Sequence, residues 1–342
     1  MKLAYTVLGV VVRLLLAVAM LLIGIWGTGA LSFRLPGPEA LRYTVAGVWA
    51  IGVLVAVGFL VLPSGRRLWS LFAFMTAFGF LIMWWNTIEP SANRDWAPDV
   101  ARQTIATLKG SEVTLRDVRD FTWTSETDFT ENWKTVTVDL EKIQSVDLFL
   151  SYWSGETIAH TLVSFGFSDG QRVVFSAEIR REKGEAFSAI AGFFKQYELS
   201  LLASSESDIV RLRTNARGED VRIYPIDMPK PVMQALFISY ANRMNDLAYE
   251  PAWYDTIFAN CTTVVFDMAR ALLPRGSVPM DPRILFSGLL PSYLQQIGAL
   301  PADLSREQLR AGASISGRAL ALPEGADFSE GIRAGGWPVS AP

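Results

Sequence analysis

Three long runs of uncharged residues before position 87 constrain the fold of this chain more than any other feature. They cover residues 14–31, 43–62 and 68–85, and the third ends on the paired tryptophans Trp84 and Trp85. A helix of about 20 apolar residues crosses the hydrocarbon core of a bilayer, and tryptophan is enriched at the membrane–water boundary. The runs therefore predict that residues 1–86 are a membrane anchor with three transmembrane helices.

The basic residues that flank these runs set the expected orientation. Four of them flank the ends of the runs that lie on the same side of the membrane as the N-terminus: Lys2, Arg13, Arg66 and Arg67. Two, Arg34 and Arg42, lie in the loop between the first and second runs. Cytoplasmic flanks carry the excess of lysine and arginine, so the N-terminus is expected inside and everything after residue 86 outside. The alternative is that the first run is a cleaved signal peptide, in which case the other two runs would still hold the chain in a membrane.

The rest of the chain predicts an α+β domain over residues 87–321. Strand-like runs separated by turn residues begin at residue 111, and helical spacing follows toward the C-terminus. The individual predictions are a linker and a helix over 87–110, strands from 111 to 180, helices over 184–195 and 229–247, a strand pair between them at 197–225, a helix from Cys261 to Pro274 and further helix to about 312. The Gly/Ala/Pro-rich tail 322–342 is expected to be poorly ordered.

Charge and composition exclude several classes of function. The formal net charge is −3 without a long basic run, which argues against nucleic-acid binding. The chain has one cysteine, Cys261, and one histidine, His160. An internal disulfide is therefore impossible, and there are too few ligands for a His/Cys zinc cluster. These two residues are the candidates for chemistry.

The two most regular strand-like runs, 157–167 and 171–180, predict a hairpin that pairs His160 with Glu178. A three-residue loop that ends in Gly170 suits a turn closed by a left-handed residue. The alternation of apolar and polar residues along both runs requires the same parity. A carboxylate beside an imidazole fixes its tautomer and favours its protonated form, which a catalytic histidine needs. An ordinary surface pair has the same composition, so both interpretations stay open.

The sequence around Cys261 suits a nucleophile. Asn260 is a good N-cap, and the apolar spacing after it predicts a helix with Cys261 in its first turn. There the helix dipole and the free backbone N–H groups would stabilise a thiolate, and the same N–H groups would hold an oxyanion. A lone cysteine is also commonly a small buried hydrophobe, and that interpretation stays open as well.

A series of short motifs makes the chain resemble the DUF4105 proteins, whose domain is also named the Lnb N-terminal periplasmic domain. The resemblance runs from about residue 87 to at least 265 and more weakly to about 312. In chain order the motifs are Pro90–Trp96, Val118–Phe121, Ile158–Thr161, Phe175–Glu182, Gly192–Phe194, Tyr197–Leu199, Arg211–Arg213, Trp253–Tyr254 and Asn260–Thr263.

The resemblance implies a permuted papain-like domain of the NlpC/P60 type, with an antiparallel sheet, a Cys-bearing helix and the histidine before the cysteine. It implies Cys261 as nucleophile and His160 as base, and Glu178 would orient the imidazole. The candidates for oxyanion binding or positioning are Asn260, Thr262, Ser176 and Tyr254, and the candidate for a phosphate head group is Arg180. One departure from the family pattern is Asp255, where an asparagine is expected after Tyr254, so the role of that position is in doubt.

The Lnb members are bacterial lipoprotein N-acyltransferases, so the resemblance implies acyl transfer at a membrane surface. The expected partners are a phospholipid as acyl donor, the N-terminal amine of a lipoprotein as acceptor and the lipid bilayer, without a cofactor or a metal. The expected location is the bacterial inner membrane, with a cytoplasmic N-terminus and a periplasmic main domain. The alternatives are a membrane-bound cysteine amidase or peptidase acting on cell-wall peptides, and a non-catalytic periplasmic domain.

Overall fold

The three apolar runs fold into three long α-helices, as predicted. The structure of the protein, a computed structural model, describes residues 2–335. The helices are α1 Lys2–Arg34, α2 Glu39–Val61 and α3 Arg67–Asn86, and each is long and apolar enough to cross a membrane. The first helix begins at residue 2 and not at residue 14, because the intervening residues are also mostly apolar and contain no proline.

Glycines on α1 let α2 approach closely. A Cβ atom at Gly27 would lie 2.6 Å from Nε1 of Trp49, and the same indole nitrogen donates to the carbonyl of Gly24 at 3.0 Å. Small residues at such contacts are typical of paired membrane helices. The three helices and Ser188–Gln196 form one compact unit of the chain, and the sheet and its helices form the second.

Ten strands, counted over the described residues, carry the second unit. They are β1 Ile105–Lys109, β2 Glu112–Arg119, β3 Thr122–Trp123, β4 Phe129–Thr130, β5 Trp133–Asp139, β6 Ile143–Ser154, β7 Ile158–Phe167, β8 Arg172–Arg180, β9 Glu198–Ser204 and β10 Asp220–Pro225. The main sheet has the order β1-β2-β9-β8-β7-β6-β10, with β5 also paired to β2, and β3 pairs with β4. The sheet is mixed, and not wholly antiparallel as the resemblance implied, because β2 meets β9 in parallel at Arg119 and Ser204. This confirms the α+β class, whereas the permuted papain-like arrangement stays a prediction.

Helices cover this sheet on both faces. Those of the second unit are α4 Glu206–Arg211, α5 Lys230–Tyr249, α6 Thr263–Leu272, α7 Leu290–Gln296, α8 Arg306–Ala313, α9 Ser316–Ala321 and α10 Phe328–Gly331. Helix α5 packs on one face, where the rings of Tyr240 and Phe175 stack with their centroids 4.6 Å apart. On the other face Leu162 and Val174 are buried against Ile209 of α4. The parity predicted for β7 and β8 is therefore confirmed.

Two predicted helices are wrong. Within 87–110 the chain forms β1, which returns into β2 through a tight turn where Gly110 has a φ of +64°. Gly110 lies between two runs of alternating residues, a pattern that indicates a hairpin and not the end of a helix. The segment 184–195 contains only one short turn, Ala191–Phe193, since its glycines weaken a longer helix.

The strand pair predicted over 197–225 is also wrong. Strand β9 pairs with β8, whereas β10 pairs with β6 at the opposite edge. The helix α4 and a five-residue π-helical segment, Leu212–Ala216, lie between the two strands and carry the chain across the sheet. A crossover of this length cannot be distinguished from a hairpin by strand propensity alone.

The C-terminal tail is packed wherever the structure describes it. Phe328 and Ile332 lie four residues apart, so they share a helical face, and both are buried in the core. Arg333 bonds the buried carboxylates of Glu206 and Asp147, with both of these N–O distances at 2.6 Å. The prediction of poor order is therefore wrong for 322–335, and the remaining tail residues, 336–342, lie outside the described residues.

Candidate active site

The β7–β8 hairpin brings His160 to Glu178, as the sequence predicts. The backbone register pairs Gly166 with Arg172 and Leu162 with Ser176, which is the predicted alignment. Gly170 closes the turn with a φ of +85°, a conformation that glycine adopts without steric cost. The Nε2 atom of His160 lies 3.2 Å from Oε1 of Glu178. The predicted neighbour relation is confirmed.

Ser176 and Arg213 complete this polar chain. His160 Nε2 is 2.8 Å from Ser176 Oγ, and the Ser176 hydroxyl donates to Glu178 Oε1 at 2.7 Å. The buried guanidinium of Arg213 donates to the same carboxylate oxygen at 3.0 Å. Because Nε2 is held by Ser176 and Glu178, Nδ1 is the ring nitrogen left for a further partner. Of the two roles predicted for Ser176, these contacts favour positioning of the imidazole.

The two strands separate just where Cys261 approaches. The β7–β8 ladder ends at Leu162 and Ser176, whereas β7 stays paired with β6 as far as Ile158 and β8 stays paired with β9 as far as Arg180. The backbone N–H of Thr161 is directed at the Cys261 sulfur and lowers the pKa of the thiol. Opening the ladder thus gives the thiol access to the histidine.

Asn260 shapes the turn that presents Cys261. Its side-chain Oδ1 accepts the backbone N–H groups of Thr262 and Thr263 at 2.8 and 2.9 Å, and its carbonyl accepts the N–H of Val264. The capping role predicted for Asn260 is therefore present. Helix α6 itself begins at Thr263, so Cys261 lies two residues before it and not inside its first turn.

This capping has a consequence for the expected oxyanion site. The amide groups of Thr262 and Thr263 donate to Asn260 and are not free for a substrate oxygen. Thr262 instead directs its buried hydroxyl toward Cys261, with a distance of 3.8 Å to the sulfur and 2.9 Å to the hydroxyl of Thr161. The structure therefore assigns Thr262 to positioning the sulfur.

Charges within the site favour an ion pair between thiolate and imidazolium. Burial disfavours the imidazolium of His160, but the Glu178 carboxylate and the bonded sulfur of Cys261 outweigh it and raise the pKa of His160 to about 9. Burial also disfavours the thiolate of Cys261, yet the charge and hydrogen bond of His160 lower its pKa below the ordinary value. The pKa of Glu178 lies well below its usual range, because His160 and Arg213 overcome the effect of burial.

The site remains in contact with solvent. The side chains of His160 and Glu178 are 17% and 20% exposed, and Cys261 is partly exposed. The three side chains are therefore not sealed inside the core. Within residues 2–335, no group of three or more His, Cys, Asp or Glu side chains is arranged to hold a metal ion.

Tyr254 lies beside the thiol. Its side chain and that of Cys261 both pack against the edge of the core, and its backbone N–H donates to the carbonyl of Tyr197 at 3.0 Å. Burial raises the pKa of Tyr254, and the nearby charges of Cys261 and Glu178 raise it further. The phenol is therefore neutral and able to donate a hydrogen bond.

The family departure at Asp255 has a local explanation. Its Oδ1 atom accepts the backbone N–H groups of Ile257 and Phe258, both at 2.8 Å. An asparagine carries the same acceptor atom, so either residue can close this turn before Cys261.

Arg180 does not fit the head-group role predicted for it. Its guanidinium donates to the carbonyls of Val100 and Ala101 at 3.1 and 2.7 Å and lies 4.5 Å from the Trp96 ring. Burial lowers the pKa of Arg180 to about 10. The side chain is on the predicted face, but the segment before β1 covers it. Its role is to hold that segment in place.

Two contributors to the site were missed by sequence reasoning. Arg213 lies in the π-helical segment after α4 and reaches Glu178, and Thr161 gives its backbone amide to the sulfur. Both belong to motifs of the family resemblance, which was the one available signal. Neither the reach of a side chain from an irregular segment nor a freed amide can be derived from periodicity.

One comparison with known families covers the part of the chain that carries the candidate site. The model of the family described as Lnb N-terminal periplasmic domain matches residues 129–288, a range that includes Cys261, His160, Glu178 and Arg213. No curated protein and no solved structure matches the chain. The match confirms the predicted resemblance and indicates a membrane-anchored protein with a periplasmic domain.

Proposed function

Residues 129–288 belong to the Lnb N-terminal periplasmic domain family, and from this premise we propose that the protein is a membrane-anchored periplasmic cysteine acyltransferase. It takes an acyl chain from a phospholipid and transfers it to the N-terminal amine of a lipoprotein. The proposed setting is the bacterial inner membrane, with the N-terminus in the cytoplasm. The observation that carries the proposal is the bonded series from Cys261 through His160 to Glu178.

In the first half-reaction the Cys261 thiolate attacks the carbonyl carbon of a phospholipid ester. A carbon–sulfur bond forms, and the ester C–O bond breaks as the tetrahedral intermediate collapses. The His160 imidazolium gives its proton to the departing glycerol oxygen, so a lysophospholipid leaves and a thioester remains on Cys261. Glu178 stabilises the imidazolium before this transfer and keeps the ring in position.

The oxyanion of each tetrahedral intermediate needs hydrogen-bond donors near the sulfur. The neutral Tyr254 hydroxyl and the backbone N–H of Cys261 are the proposed donors, because the next two amides are bonded to Asn260. The N-terminus of α6 adds a favourable dipole for negative charge at this point.

In the second half-reaction the amine of the acceptor attacks the thioester carbonyl. The now neutral His160 takes a proton from the attacking nitrogen, an amide bond forms, and the Cys261 thiolate leaves. This returns the ion pair for the next cycle. The imidazole is neutral at the start of this step because it has given its proton to the departing glycerol oxygen.

The membrane anchor supports a lipid-linked substrate. The helices α1, α2 and α3 confine the enzyme to the surface that also holds both substrates, which raises their effective concentration without any additional contact. The exposed rings of Trp153 and Phe187, whose centroids are 5.6 Å apart, offer an apolar contact for an acyl chain. Trp153 lies two residues from Ser151, the strand partner of His160.

The test is acyl transfer by the full chain in proteoliposomes that contain a phospholipid with an isotopically labelled acyl chain. We expect the label on Cys261, released by neutral hydroxylamine as a thioester is, and absent from Cys261→Ala. Addition of a lipopeptide with a free S-diacylglyceryl N-terminal cysteine should move the label into an amide. The matched lipopeptide with an acetylated amine should remain unlabelled.

The outcomes separate the competing activities. Labelled fatty acid without labelled lipopeptide would replace the transferase with a hydrolase that uses the same thiol. Absence of label on Cys261, in a preparation whose thiol still alkylates rapidly at neutral pH, would overturn the phospholipid as donor. A thiol that is inert at neutral pH would overturn the enzyme proposal as a whole.

A further inference from the structure

The segment between β8 and β9 carries an apolar surface that the proposed reaction does not use. Residues 188–196, called the interfacial loop below, group with the membrane helices and not with the sheet. Of their nine side chains, one is charged, that of Lys195. Two of its large apolar residues are solvent-exposed, Ile190 by 64% and Phe193 by 42%.

Phe194 fixes the loop to the end of α1. Its ring stacks on the ring of Phe33, with the centroids 5.3 Å apart and an angle of 11° between the planes. The Phe194 ring also lies directly over Gly29, where any Cβ atom would clash with it. This contact requires a glycine on α1, so the loop packs at one defined position on that helix.

Lys195 fixes the loop to the end of α3. Its ammonium donates to the carbonyls of Trp85 and Ile88 at 2.9 and 3.1 Å, and it lies 4.8 Å from the Trp85 ring. Carbonyls at a helix C-terminus lack intrahelical donors and carry partial negative charge, so a lysine satisfies them. The backbone of Lys195 takes the left-handed conformation, with a φ of +53°, to reach them.

Both contacts lie in the last turns of apolar helices that are long enough to span a bilayer. Tryptophan and lysine are enriched at this level, where the hydrocarbon core meets the head groups. We propose that the interfacial loop lies in the head-group region of the bilayer, with Ile190 and Phe193 in contact with lipid. This goes beyond the proposed function, because it assigns a lipid contact to a segment outside the helical spans.

Lipid is the occupant that fits this surface better than a protein does. The exposed apolar patch consists of two side chains, whereas a stable protein partner buries about 800 Å² on each side. The helix that the loop contacts through Phe194 also exposes apolar side chains along its length, such as Leu22 on α1. A short amphipathic segment with a basic residue at its base is typical of interfacial insertion.

The test uses the chain's single cysteine to advantage, since Cys261→Ala gives a cysteine-free background. A polarity-sensitive fluorophore is attached at Ile190→Cys or Phe193→Cys in the full chain, reconstituted in phosphatidylethanolamine–phosphatidylglycerol vesicles. Leu22→Cys in the middle of α1 is the lipid-exposed control, and Glu126→Cys in the exposed β3–β4 turn is the water-exposed control.

We expect both loop positions to emit at shorter wavelength than the Glu126→Cys control and to resist quenching by aqueous iodide. Lipid spin labels near the ester level should quench them at least about twofold more than labels near the bilayer centre, since interfacial segments sit about 5–10 Å below the surface. At Leu22→Cys the order of the two spin labels should be reversed.

Either of two results would overturn the proposal. Efficient iodide quenching at both loop positions would place them in water. Protection from iodide without quenching by any lipid spin label would indicate that protein covers the loop. Because fluorescence is the readout and Cys261 is absent, a negative result for acyl transfer leaves this inference intact, and the reverse also holds.

Discussion

Replacing Glu178 with glutamine removes the carboxylate charge beside His160 while keeping the length of the side chain. Burial disfavours the imidazolium, and the carboxylate with the bonded sulfur raises the pKa of His160 from 6.5 to about 9. This difference corresponds to roughly 3 kcal/mol, at about 1.4 kcal/mol for each pKa unit. Without the charge, burial and Arg213 both push the pKa of His160 downward, and the thiol loses the cation that lowers its own pKa.

The ion pair in the native protein therefore exists in a defined range of pH. The thiolate is present above the lowered pKa of Cys261, and the imidazolium persists until the pH rises through about 9. In Glu178→Gln we expect the thiolate population at neutral pH to fall, because the imidazolium whose charge lowers the pKa of Cys261 is then disfavoured. A more basic thiolate is more nucleophilic, with a Brønsted slope of about 0.4–0.5, so the observed alkylation rate should fall by a smaller factor than the thiolate population does.

The assay is the rate of iodoacetamide alkylation between acid and alkaline pH, followed by intact mass. The single cysteine means that all incorporated mass reports on Cys261. The matched control is Asp169→Asn, which removes a carboxylate from the turn of the same hairpin, where its partner is Lys142. Rates at neutral pH should be unchanged in this control.

Two results would refute the reasoning about Glu178. The first is a native thiol whose alkylation rises only at alkaline pH, as in a free cysteine. The second is the same pH profile in the native protein and in Glu178→Gln, with both variants folded by circular dichroism. The second result would mean that His160 and Cys261 are coupled without help from the carboxylate.

Two further predictions concern buried arginines. Arg213→Ala leaves Glu178 without its guanidinium partner, so the free energy of unfolding in urea should fall by about 3 kcal/mol, and Arg213→Lys should recover part of it; unchanged stability in Arg213→Ala would exclude a role in holding Glu178. Arg333→Ala should lower the free energy of unfolding by about 3–5 kcal/mol, because the buried carboxylate of Glu206 loses its cation. The control Arg275→Ala, at an exposed position, should change this free energy little when both variants are unfolded in urea. Burial opposes ionisation of Glu206, but Arg333 lowers the pKa of Glu206 below its ordinary value. The stabilisation by this pair is therefore complete at neutral pH and is lost as the pH falls. A difference in unfolding free energy between Arg333→Ala and the native protein that stays constant into acid would contradict the assignment.

Local periodicity was sufficient for the parts of the fold that depend on neighbouring residues. The three apolar helices, the β7–β8 register and the contact of His160 with Glu178 were all predictable, because each follows from spacing within one or two elements. Parity in a hairpin is fixed by burial, so a one-residue error would have exposed its whole apolar face.

Contacts between distant segments were not predictable in the same way. Arg180 lies on the expected face of β8, but a segment eighty residues earlier covers it and takes its hydrogen bonds. That segment was predicted to lead into a helix, and the hairpin after it was missed. The error at Arg180 follows from this earlier one, since a strand residue that is exposed in isolation can be covered by another part of the chain.

The surroundings of Cys261 at the end of the β7–β8 ladder distinguish a reactive thiol from one that only fills space in the core. A cysteine that merely fills space in a core needs no polar partners, since its thiol is a weak donor and acceptor. Here the Thr161 amide, the Thr262 hydroxyl and the His160 ring all face the sulfur, and each of these contacts lowers its pKa. Giving a strand amide to a neutral thiol forgoes a hydrogen bond worth about 0.5–1.5 kcal/mol, whereas bonds to charged groups are worth about 1.5–3 kcal/mol. The groups around the sulfur therefore favour the charged form of Cys261, which is the state that a nucleophile requires.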